Sequence, residues 1–231
     1  MNFFSLQEGF IPHLSIPFYL MTLLICPFLI YLSFKYHKVV AFKNFFLILQ
    51  ASQLISLYGW YIMRGFPLQE ALPFYHCRIG MLAIFLLPNK TVLKQLFMLL
   101  GVAGPILAVL SPDLYPYPLF HATNVAFYLG HYALLVNALI YLQDNYDDTL
   151  SSKRQFLNRL AIINLSLVII NGLTKGNYGF LKEVPIIHSH HLFINFFLVT
   201  FGLLLMAKLV EVTFISYANV RSRKISQGLK V

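Results

Sequence analysis

Long apolar segments separated by short polar ones dominate the pattern of hydrophobic and polar positions along the chain. A helix that crosses a bilayer needs about 20 mostly apolar residues, and seven segments approach or exceed that length. They cover residues 12–34, 42–63, 72–88, 92–110, 119–142, 156–174 and 190–216. The longest connections, 143–155 and 175–189, are too short for a soluble domain. The pattern therefore predicts an all-α polytopic membrane protein, with one integral membrane domain over residues 1–231 and about seven transmembrane helices.

The composition agrees with a protein that lies in lipid. Hydrophobic residues make up 58% of the 231 residues and charged residues only 11%, and the mean hydropathy of +0.71 exceeds the usual range of soluble domains. The formal net charge is +9. Because the basic residues are scattered over several short loops with no recognition module between them, nucleic acid is not an expected partner.

The distribution of Lys and Arg predicts the orientation, because cytoplasmic loops carry an excess of these residues. An external N-terminus puts all but four of the 17 cations on or near the inner face, and those four are Arg64, Arg78, Lys175 and Lys182. We therefore expect the N-terminus outside, the C-terminus in the cytoplasm and the protein in the cell membrane. The basic tail "RSRKISQGLK" would also attract anionic lipid.

Polar side chains recur along one face of the fifth predicted span, "HATNVAFYLGHYALL". His121, Asn124, Tyr128 and His131 follow each other at steps of 3, 4 and 3 residues, which places them in one stripe of a helix. His131 lies about 15 Å deeper than His121, near the middle of the bilayer. A polar group inside lipid needs a partner, a cavity or a function, and we predict that this stripe lines a cavity.

A His-Cys-Arg triplet, His76, Cys77 and Arg78, opens the third predicted span. Nearby positive charge favours the thiolate of a cysteine, which is the nucleophilic form. Neighbouring residues on a helix do not face each other, however, so adjacency in sequence does not establish contact. We expect Arg78 to reach the interface or to pair with Glu70 or Asp113. The triplet makes Cys77 a candidate nucleophile and the other two residues candidates for lining the same cavity.

Other polar and sulfur-containing residues have simpler explanations. Cys26 lies in "LLICPFLI" with no ionisable neighbour and is interpreted as an apolar filler. His188, His190 and His191 match no metalloenzyme spacing, so we predict neither a metal nor a cofactor. Two polar faces favour contacts between helices, although Asn171 would also face an outward-opening cavity. These faces comprise Gln53, Ser56, Trp60 and Arg64 in the second span, and Asn164, Asn171 and Lys175 in the sixth.

At three places the chain resembles the YwaF-like bacterial integral membrane proteins, which are related to the eukaryotic transmembrane protein 164 acyltransferase family. The matching pieces are "LPFYHCRIG", "LSPDLYPYPLFHATNVAFYLGHYALLVNALIYL" and "NGLTKGNYGFL". The resemblance implies a lipid acyltransferase in which Cys77 carries an acyl thioester and His131 is its base, with His121 as the alternative base. The Asn-Tyr pair of the last piece, Asn177 and Tyr178, is expected at the cavity. The Arg after Cys77 departs from the family pattern, so the identity of the substrate does not transfer.

Three functions are compatible with these features. The first is a membrane-embedded acyltransferase of lipid metabolism that moves a fatty acyl group to or between membrane phospholipids or glycolipids. The second is a transporter or channel that binds a small polar solute or a proton with His131, Asn124 and Asn171. Against it, the sequence has no inverted repeat and no matching pair of broken helices. The third is a membrane scaffold or assembly protein that uses its basic tail as a contact.

Overall fold

The part of the chain that the structure describes contains seven α-helices, two short 3₁₀ helices (Asp148–Leu150 and Tyr178–Phe180) and no strand. The computed structural model describes residues 2–184 and 189–226, with side chains as far as residue 217. The helices are α1 (Ile16–Tyr36), α2 (Val40–Met63), α3 (His76–Leu86), α4 (Val92–Leu110), α5 (Ala122–Asn145), α6 (Lys153–Thr174) and α7 (Leu192–Ser226). All except α3 are long and apolar enough to cross a membrane. The prediction of an all-α, multi-pass membrane protein is confirmed.

The third element is shorter than the predicted span over 72–88. Helix α3 has only 11 residues, about 16 Å of helix against a hydrocarbon core of about 30 Å. Pro67 and Pro73 lie in the segment before it, and proline removes a backbone donor and biases the preceding residue away from the helix. The chain between α2 and α3 stays irregular for this reason. Helix α3 begins inside the bundle, since Gly80 in its second turn faces Leu134 in the middle of α5.

Irregular backbone within a membrane protein needs hydrogen-bond partners other than lipid. Tyr178 supplies two to the segment before α3: its hydroxyl donates to the carbonyl of Leu68 (2.6 Å) and accepts from the N–H of Leu72 (3.0 Å). The side-chain amide of Asn171 in turn accepts from the backbone N–H of Tyr178 (2.7 Å) and donates to its carbonyl (2.9 Å). The irregular connection before α3 is therefore fixed to the one before α7.

Helix α5 is the centre of the bundle and packs against α1, α2, α3 and α4, while α6 and α7 pack on each other and on α4. Three of its side chains bond the backbones of neighbouring helices, and Gln143 is one of them, donating to the carbonyl of Ser33 in α1 (3.2 Å). The Tyr132 hydroxyl donates to the carbonyl of Thr22 in α1 (2.9 Å), and the Asn137 amide donates to the carbonyl of Phe46 in α2 (3.1 Å). These bonds fix the positions of α1 and α2 against a helix that is itself mostly buried.

The N-terminal segment covers one end of the bundle, here called the N-terminal end. The carbonyl of Ser5 accepts from the indole N–H of Trp60 in the last turn of α2 (3.0 Å) and bonds Nε2 of His121 at the start of α5 (2.9 Å). The alternating direction of the helices puts the starts of α3, α5 and α7 at this same end. That this end faces the outside of the cell stays a prediction.

Charged side chains tie the helices together at the opposite end. Lys94, in the first turn of α4, donates to the carbonyls of Ile84 (3.0 Å) and Leu87 (2.8 Å) at the end of α3. A cation thus compensates the free carbonyls and the negative end of the helix dipole. Lys43 of α2 pairs with Asp144 of α5 at 2.5 Å. Helix α3 is therefore held at a fixed depth from both of its ends.

Candidate functional site at the start of helix α3

A small cavity lies where α3 begins, between α3, α4, α5 and α7. Its volume is about 40 Å³, and its walls are formed by His76, Cys77, Gly80, Phe97, Leu100, Gly101, Gly104, Leu134, Leu203 and Met206. Only the first two of these have a polar or reactive side chain. The structure therefore brings two residues of the predicted triplet to one otherwise apolar cavity.

Cys77 occupies the first turn of α3, where the backbone offers free donors. First-turn N–H groups have no partner within their helix, and no side chain caps α3 at Tyr75, so these amides can stabilise an anion. The space beside the sulfur depends on a glycine: a Cβ built on Gly104 would lie only 3.0 Å from Sγ. The thiol thus combines nearby anion-stabilising groups with a wall that has no side chain.

His131 lies at the same depth as Cys77. Helices α3 and α5 run in the same direction, and the Cβ position of Gly80 is 3.6 Å from a methyl carbon of Leu134. Cys77 lies three residues before Gly80, and His131 lies three residues before Leu134. Because three residues are nearly one helical turn, this register brings the turns of Cys77 and His131 to about the same depth, although His131 is not among the residues that line the cavity.

A backbone carbonyl orients the imidazole of His131. Its Nδ1 lies 2.7 Å from the carbonyl oxygen of Phe127, so Nδ1 carries the proton and Nε2 keeps a lone pair that can accept one. The ring also packs on the side chain of Phe127, with 4.6 Å between ring centroids. Within residues 2–184 and 189–217, the sulfur of Cys77 has no hydrogen bond to the imidazole of His76 or of His131. Hydrogen bonds of catalytic pairs are often long without substrate and shorten when it binds.

His76 is held by a polar chain that reaches α6 and α7. Its Nε2 lies 2.9 Å from Oδ1 of Asn164, whose Nδ2 donates to the hydroxyl of Thr200 (2.9 Å). Since Asn164 donates to Thr200, its Oδ1 accepts from His76, and Nδ1 of His76 keeps a lone pair. Gly179 covers the ring at a φ of 65°, and a Cβ there would lie 2.9 Å from Cε1 of His76. His76 is therefore a second oriented imidazole, directly at the cavity.

Arg78 extends from the same helical turn toward the N-terminal end. One terminal nitrogen donates to the backbone carbonyl of Glu70 (2.8 Å), and the other donates to the hydroxyls of Tyr61 (2.8 Å) and Tyr115 (2.9 Å). The guanidinium also lies over the rings of Tyr61 (5.3 Å) and Tyr75 (4.9 Å). The groups that contact this cation directly are neutral.

The expected ion pair between Arg78 and Glu70 or Asp113 does not form. The carboxylate of Glu70 instead accepts from Arg64 at 2.8 Å. Burial raises the pKa of the Glu70 carboxyl, and the charges of Arg64 and Arg78 act in the opposite direction. The carboxylate of Glu70 is thus within electrostatic range of both arginines, but it accepts its hydrogen bond from Arg64.

Asn171, Asn177 and Tyr178 lie outside the cavity and hold the irregular segments around it. Asn171 fixes Tyr178, as described above. The Oδ1 of Asn177 accepts from the N–H groups of Lys182 (2.9 Å) and Glu183 (3.1 Å), and its Nδ2 donates to the carbonyl of Glu183 (2.9 Å). These amides position the turn that covers His76 and do not contact the cavity themselves.

His121, the alternative base, is the N-cap of α5. Its Nδ1 accepts from the N–H of Thr123 (3.3 Å), and its Nε2 therefore donates to the carbonyl of Ser5 (2.9 Å). The ring is buried, and both nitrogens are engaged. The structure thus separates His121 from the cavity that holds Cys77.

Asn124 and Tyr128 also lie away from the cavity, so the predicted polar stripe of α5 divides. Asn124 is fully buried and fixes the loop before α5: its Oδ1 accepts from the N–H of Tyr115 (2.9 Å), and its Nδ2 donates to the carbonyl of Tyr117 (2.9 Å). Tyr128 packs edge-on against Phe18 of α1, with 5.9 Å between ring centroids. His131 is at about the depth of the start of α3, but none of the four residues of the stripe is among those that line the cavity.

Several contributors to the site have no clear signal in the sequence. In the sequence, Gly104 looks like an ordinary packing residue, and Thr200 is an isolated hydroxyl in an apolar segment. In the structure, Gly104 lies beside the sulfur of Cys77, and Thr200 bonds Asn164, the partner of His76. Tyr61 and Tyr115 are two of 14 tyrosines, and nothing in their spacing relates them to Arg78. Asn164 is recognisable as polar within lipid, but its bond to His76 depends on how α6 packs.

The histidines before α7 form no metal site in the part of the chain that can be assessed. Among the described residues, no group of three or more His, Cys, Asp or Glu residues is arranged to hold a metal ion. His190 is exposed, with Nδ1 4.0 Å from a carboxylate oxygen of Glu183. His188 lies outside the described residues, as does the end of the basic tail.

The fold and the site define a multi-pass helical membrane protein with a cysteine and an oriented histidine at the start of a short helix that begins inside the bundle. The model of the TMEM164 family matches residues 3–213 of the 231 residues, and the chain belongs to the TMEM164 family. No curated protein and no solved structure matches the chain. The narrower relation to the YwaF-like bacterial proteins stays a prediction.

Proposed function

We propose that the protein is an acyltransferase of the cell membrane that moves a fatty acyl group to or between membrane lipids through a thioester on Cys77. The observations that support the proposal are the register of α3 and α5, which brings Cys77 and His131 to about the same depth, and the free Nε2 of His131. A thiol beside a base suits covalent acyl transfer, because the thioester divides one difficult step into two easier ones. The family resemblance implies the same chemistry.

In the first half of the reaction, Nε2 of His131 takes the proton of the Cys77 thiol, and the sulfur attacks the carbonyl carbon of an ester donor. A carbon–sulfur bond forms, and the negative charge moves to the carbonyl oxygen, where the first-turn N–H groups of α3 can stabilise it. The carbon–oxygen bond to the donor alcohol then breaks. The leaving alkoxide receives the proton from His131, which completes the thioester.

In the second half, the hydroxyl of an acceptor lipid gives its proton to His131 and attacks the thioester carbonyl. The new ester forms as the carbon–sulfur bond breaks, and the leaving thiolate regains the proton from His131. The apolar walls around Cys77 favour this outcome over hydrolysis, because they limit the water that can compete with the acceptor.

The acyl chain must lie outside the cavity, since 40 Å³ is far below the several hundred Å³ of a pocket for a molecule of that size. Leu203 and Met206 of α7 close the cavity on one side. Most of α7 is exposed on the surface of the bundle, where lipid would surround it. The route for an acyl chain therefore runs past these two side chains, and methionine adapts readily to such a change.

Thioester trapping tests the proposal. The purified protein in lipid nanodiscs is incubated with a phospholipid and, separately, with an acyl coenzyme A, each with an alkyne-tagged acyl chain. We expect a hydroxylamine-sensitive label on Cys77 in the wild type and in Cys26→Ala, and its loss in Cys77→Ser. Cys26 is a suitable control because it is buried in α1 and lies outside the cavity. A hydroxylamine-sensitive label that persists in Cys77→Ser would refute the role of Cys77, and the absence of any label in the wild type with both donors would favour the transporter or scaffold alternatives.

Two further variants separate the roles of the imidazoles. If His131 is the base, His131→Ala should slow labelling by about 100- to 10,000-fold, the usual contribution of a positioned base. His76→Ala should then have a smaller effect. The opposite ranking, in folded proteins, would transfer the role of base to His76, which lines the cavity and also has a free nitrogen.

A further inference from the structure

The guanidinium of Arg78 has an unusual set of neighbours for a cation inside a membrane protein. Buried charges are normally paired with an opposite charge. Here the direct partners are one carbonyl and two tyrosine hydroxyls, and no carboxylate forms an ion pair with Arg78 within the described parts of the chain. The charge is thus solvated by neutral groups.

Hydrogen-bond donors around this cation exceed the acceptors. A guanidinium has five N–H groups, and the three bonds above leave two of them. The hydroxyls of Tyr61 and Tyr115 both accept from Arg78 and also bond each other. Only one of their two protons is used in the bond between them, so the other remains available to a ligand.

Tyr58 adds a further donor without a partner. Its hydroxyl interacts with the guanidinium of Arg78, and this buried hydroxyl has no acceptor for its own proton among the described residues. A buried hydroxyl without a partner costs about 1–3 kcal/mol, so its presence beside a cation that also has free N–H groups requires an explanation. An acceptor-rich anion would satisfy all of these donors together.

We propose that Arg78, Tyr58, Tyr61 and Tyr115 form a binding site for a phosphate group. A phosphate offers several acceptor oxygens in a geometry that the fork of a guanidinium matches. A carboxylate is a poorer fit, because its two oxygens would satisfy fewer of the free donors. Tyr58, Arg78 and Tyr115 are only partly buried as whole residues, and we expect a ligand to approach them from the N-terminal end.

The position of this site is relevant to the proposed function, and this step rests on that function. Arg78 follows Cys77 directly in α3, and its side chain extends toward the N-terminal end of the bundle, where lipid headgroups would lie. In a glycerophospholipid the phosphate is only a few covalent bonds from the acyl ester. A phosphate held at Arg78 would therefore keep an ester carbonyl close to the sulfur of Cys77.

The single tryptophan of the chain provides a direct readout. Trp60 packs on Tyr61 (5.2 Å between ring centroids) and Tyr115 (5.9 Å), so its fluorescence reports on the cluster. The titrations use Cys77→Ser protein in a neutral detergent, which prevents turnover. The probes are dioctanoyl phosphatidylcholine, dioctanoylglycerol, which lacks the phosphate, and inorganic phosphate.

We expect saturable binding of the phosphatidylcholine and at least tenfold weaker binding of the diacylglycerol. Tyr58→Phe should weaken binding of the phosphatidylcholine about tenfold, as expected for the loss of one hydrogen bond to a charged group. It should not impair folding, because the hydroxyl donates to no protein group among the described residues. Arg78→Gln should weaken it by at least that factor. Tyr19→Phe is the matched control, since the Tyr19 hydroxyl bonds the carbonyl of Leu110, and it should leave the Kd unchanged.

Equal affinity for the phosphatidylcholine and the diacylglycerol would overturn the phosphate site, as would a Kd that Tyr58→Phe leaves unchanged. Inorganic phosphate binding as tightly as the lipid would support the anion site and assign it to a soluble anion. Because binding is measured without turnover, it is independent of the thioester test. Labelling of Cys77 without phosphate-dependent binding would refute this inference alone, and the reverse result would refute only the proposed function.

Discussion

Replacing Gly104 by Ala would test the site without changing either reacting group. The added methyl carbon would lie 3.0 Å from the sulfur of Cys77, closer than the roughly 3.5–4.0 Å at which non-bonded carbon atoms pack best. A small shift of the thiol side chain can relieve this contact in the resting protein. A thioester needs additional space beside the sulfur for its acyl carbon, and the methyl would occupy part of that space.

The expected effect on stability is small because two terms oppose each other. Alanine in place of glycine within a helix stabilises by about 1 kcal/mol, and overpacking of an interior destabilises by about 1–3 kcal/mol. We therefore expect the free energy of unfolding to fall by no more than about 2 kcal/mol. The effect on acylation should be larger, since a displacement of about 1 Å near a reacting group can slow a reaction about 100-fold.

The assay compares the rate of thioester labelling in Gly104→Ala with the rates in Gly59→Ala and Gly202→Ala. A Cβ at either control position would meet no atom within 4 Å, so both controls should label like the wild type and unfold at the same temperature or higher. Wild-type labelling of a folded Gly104→Ala protein would refute the argument that acylation needs the open space beside Cys77.

Three further predictions concern the scaffold of the site. Lys94→Met should lower the free energy of unfolding by about 1–3 kcal/mol, because two carbonyls at the end of α3 lose their donor, and thermal unfolding in detergent would measure it. Asn171→Leu should loosen the turn at Tyr178 and speed tryptic cleavage at Lys182; unchanged cleavage would contradict this role. Reporter fusions after residues 38, 90 and 150 should all report the cytoplasm, and an external signal at 150 would reverse the predicted orientation.

The helical fold could be predicted from the sequence because lipid imposes a simple requirement. Segments such as 92–110 and 156–174 are apolar over the length of a bilayer, and the observed helices begin and end within a few residues of those limits. The third span was the exception. Hydropathy over 72–88 records only that the residues are apolar. It does not distinguish a helix from irregular backbone that is buried in protein. Here Tyr178 makes the irregular backbone possible by bonding it.

The candidate site could be predicted only in part. Cys77 and His131 attract attention because a thiol beside charged residues and an imidazole deep in a span are unusual in lipid. Their common depth depends on where α3 starts and on which residue of α5 faces Gly80, and neither follows from spacing along one helix. For the same reason the sequence grouped Asn124 with His131, although Asn124 bonds the loop before α5 and His131 bonds and packs on Phe127 in its own helix.

The short length of α3 connects the scaffold to the chemistry. A helix that continued through 72–88 would use the amides of residues 76–78 in its own hydrogen bonds, and Cys77 would lie on an ordinary apolar surface. A helix that begins at His76 leaves these amides free at a depth where water is scarce, and electrostatic stabilisation is strongest there. The irregular segment before α3 is tolerated because the Tyr178 hydroxyl forms hydrogen bonds with two of its backbone groups. Asn171 and Tyr178 are therefore positioning residues, and changes there should affect the rate of acylation through the placement of α3.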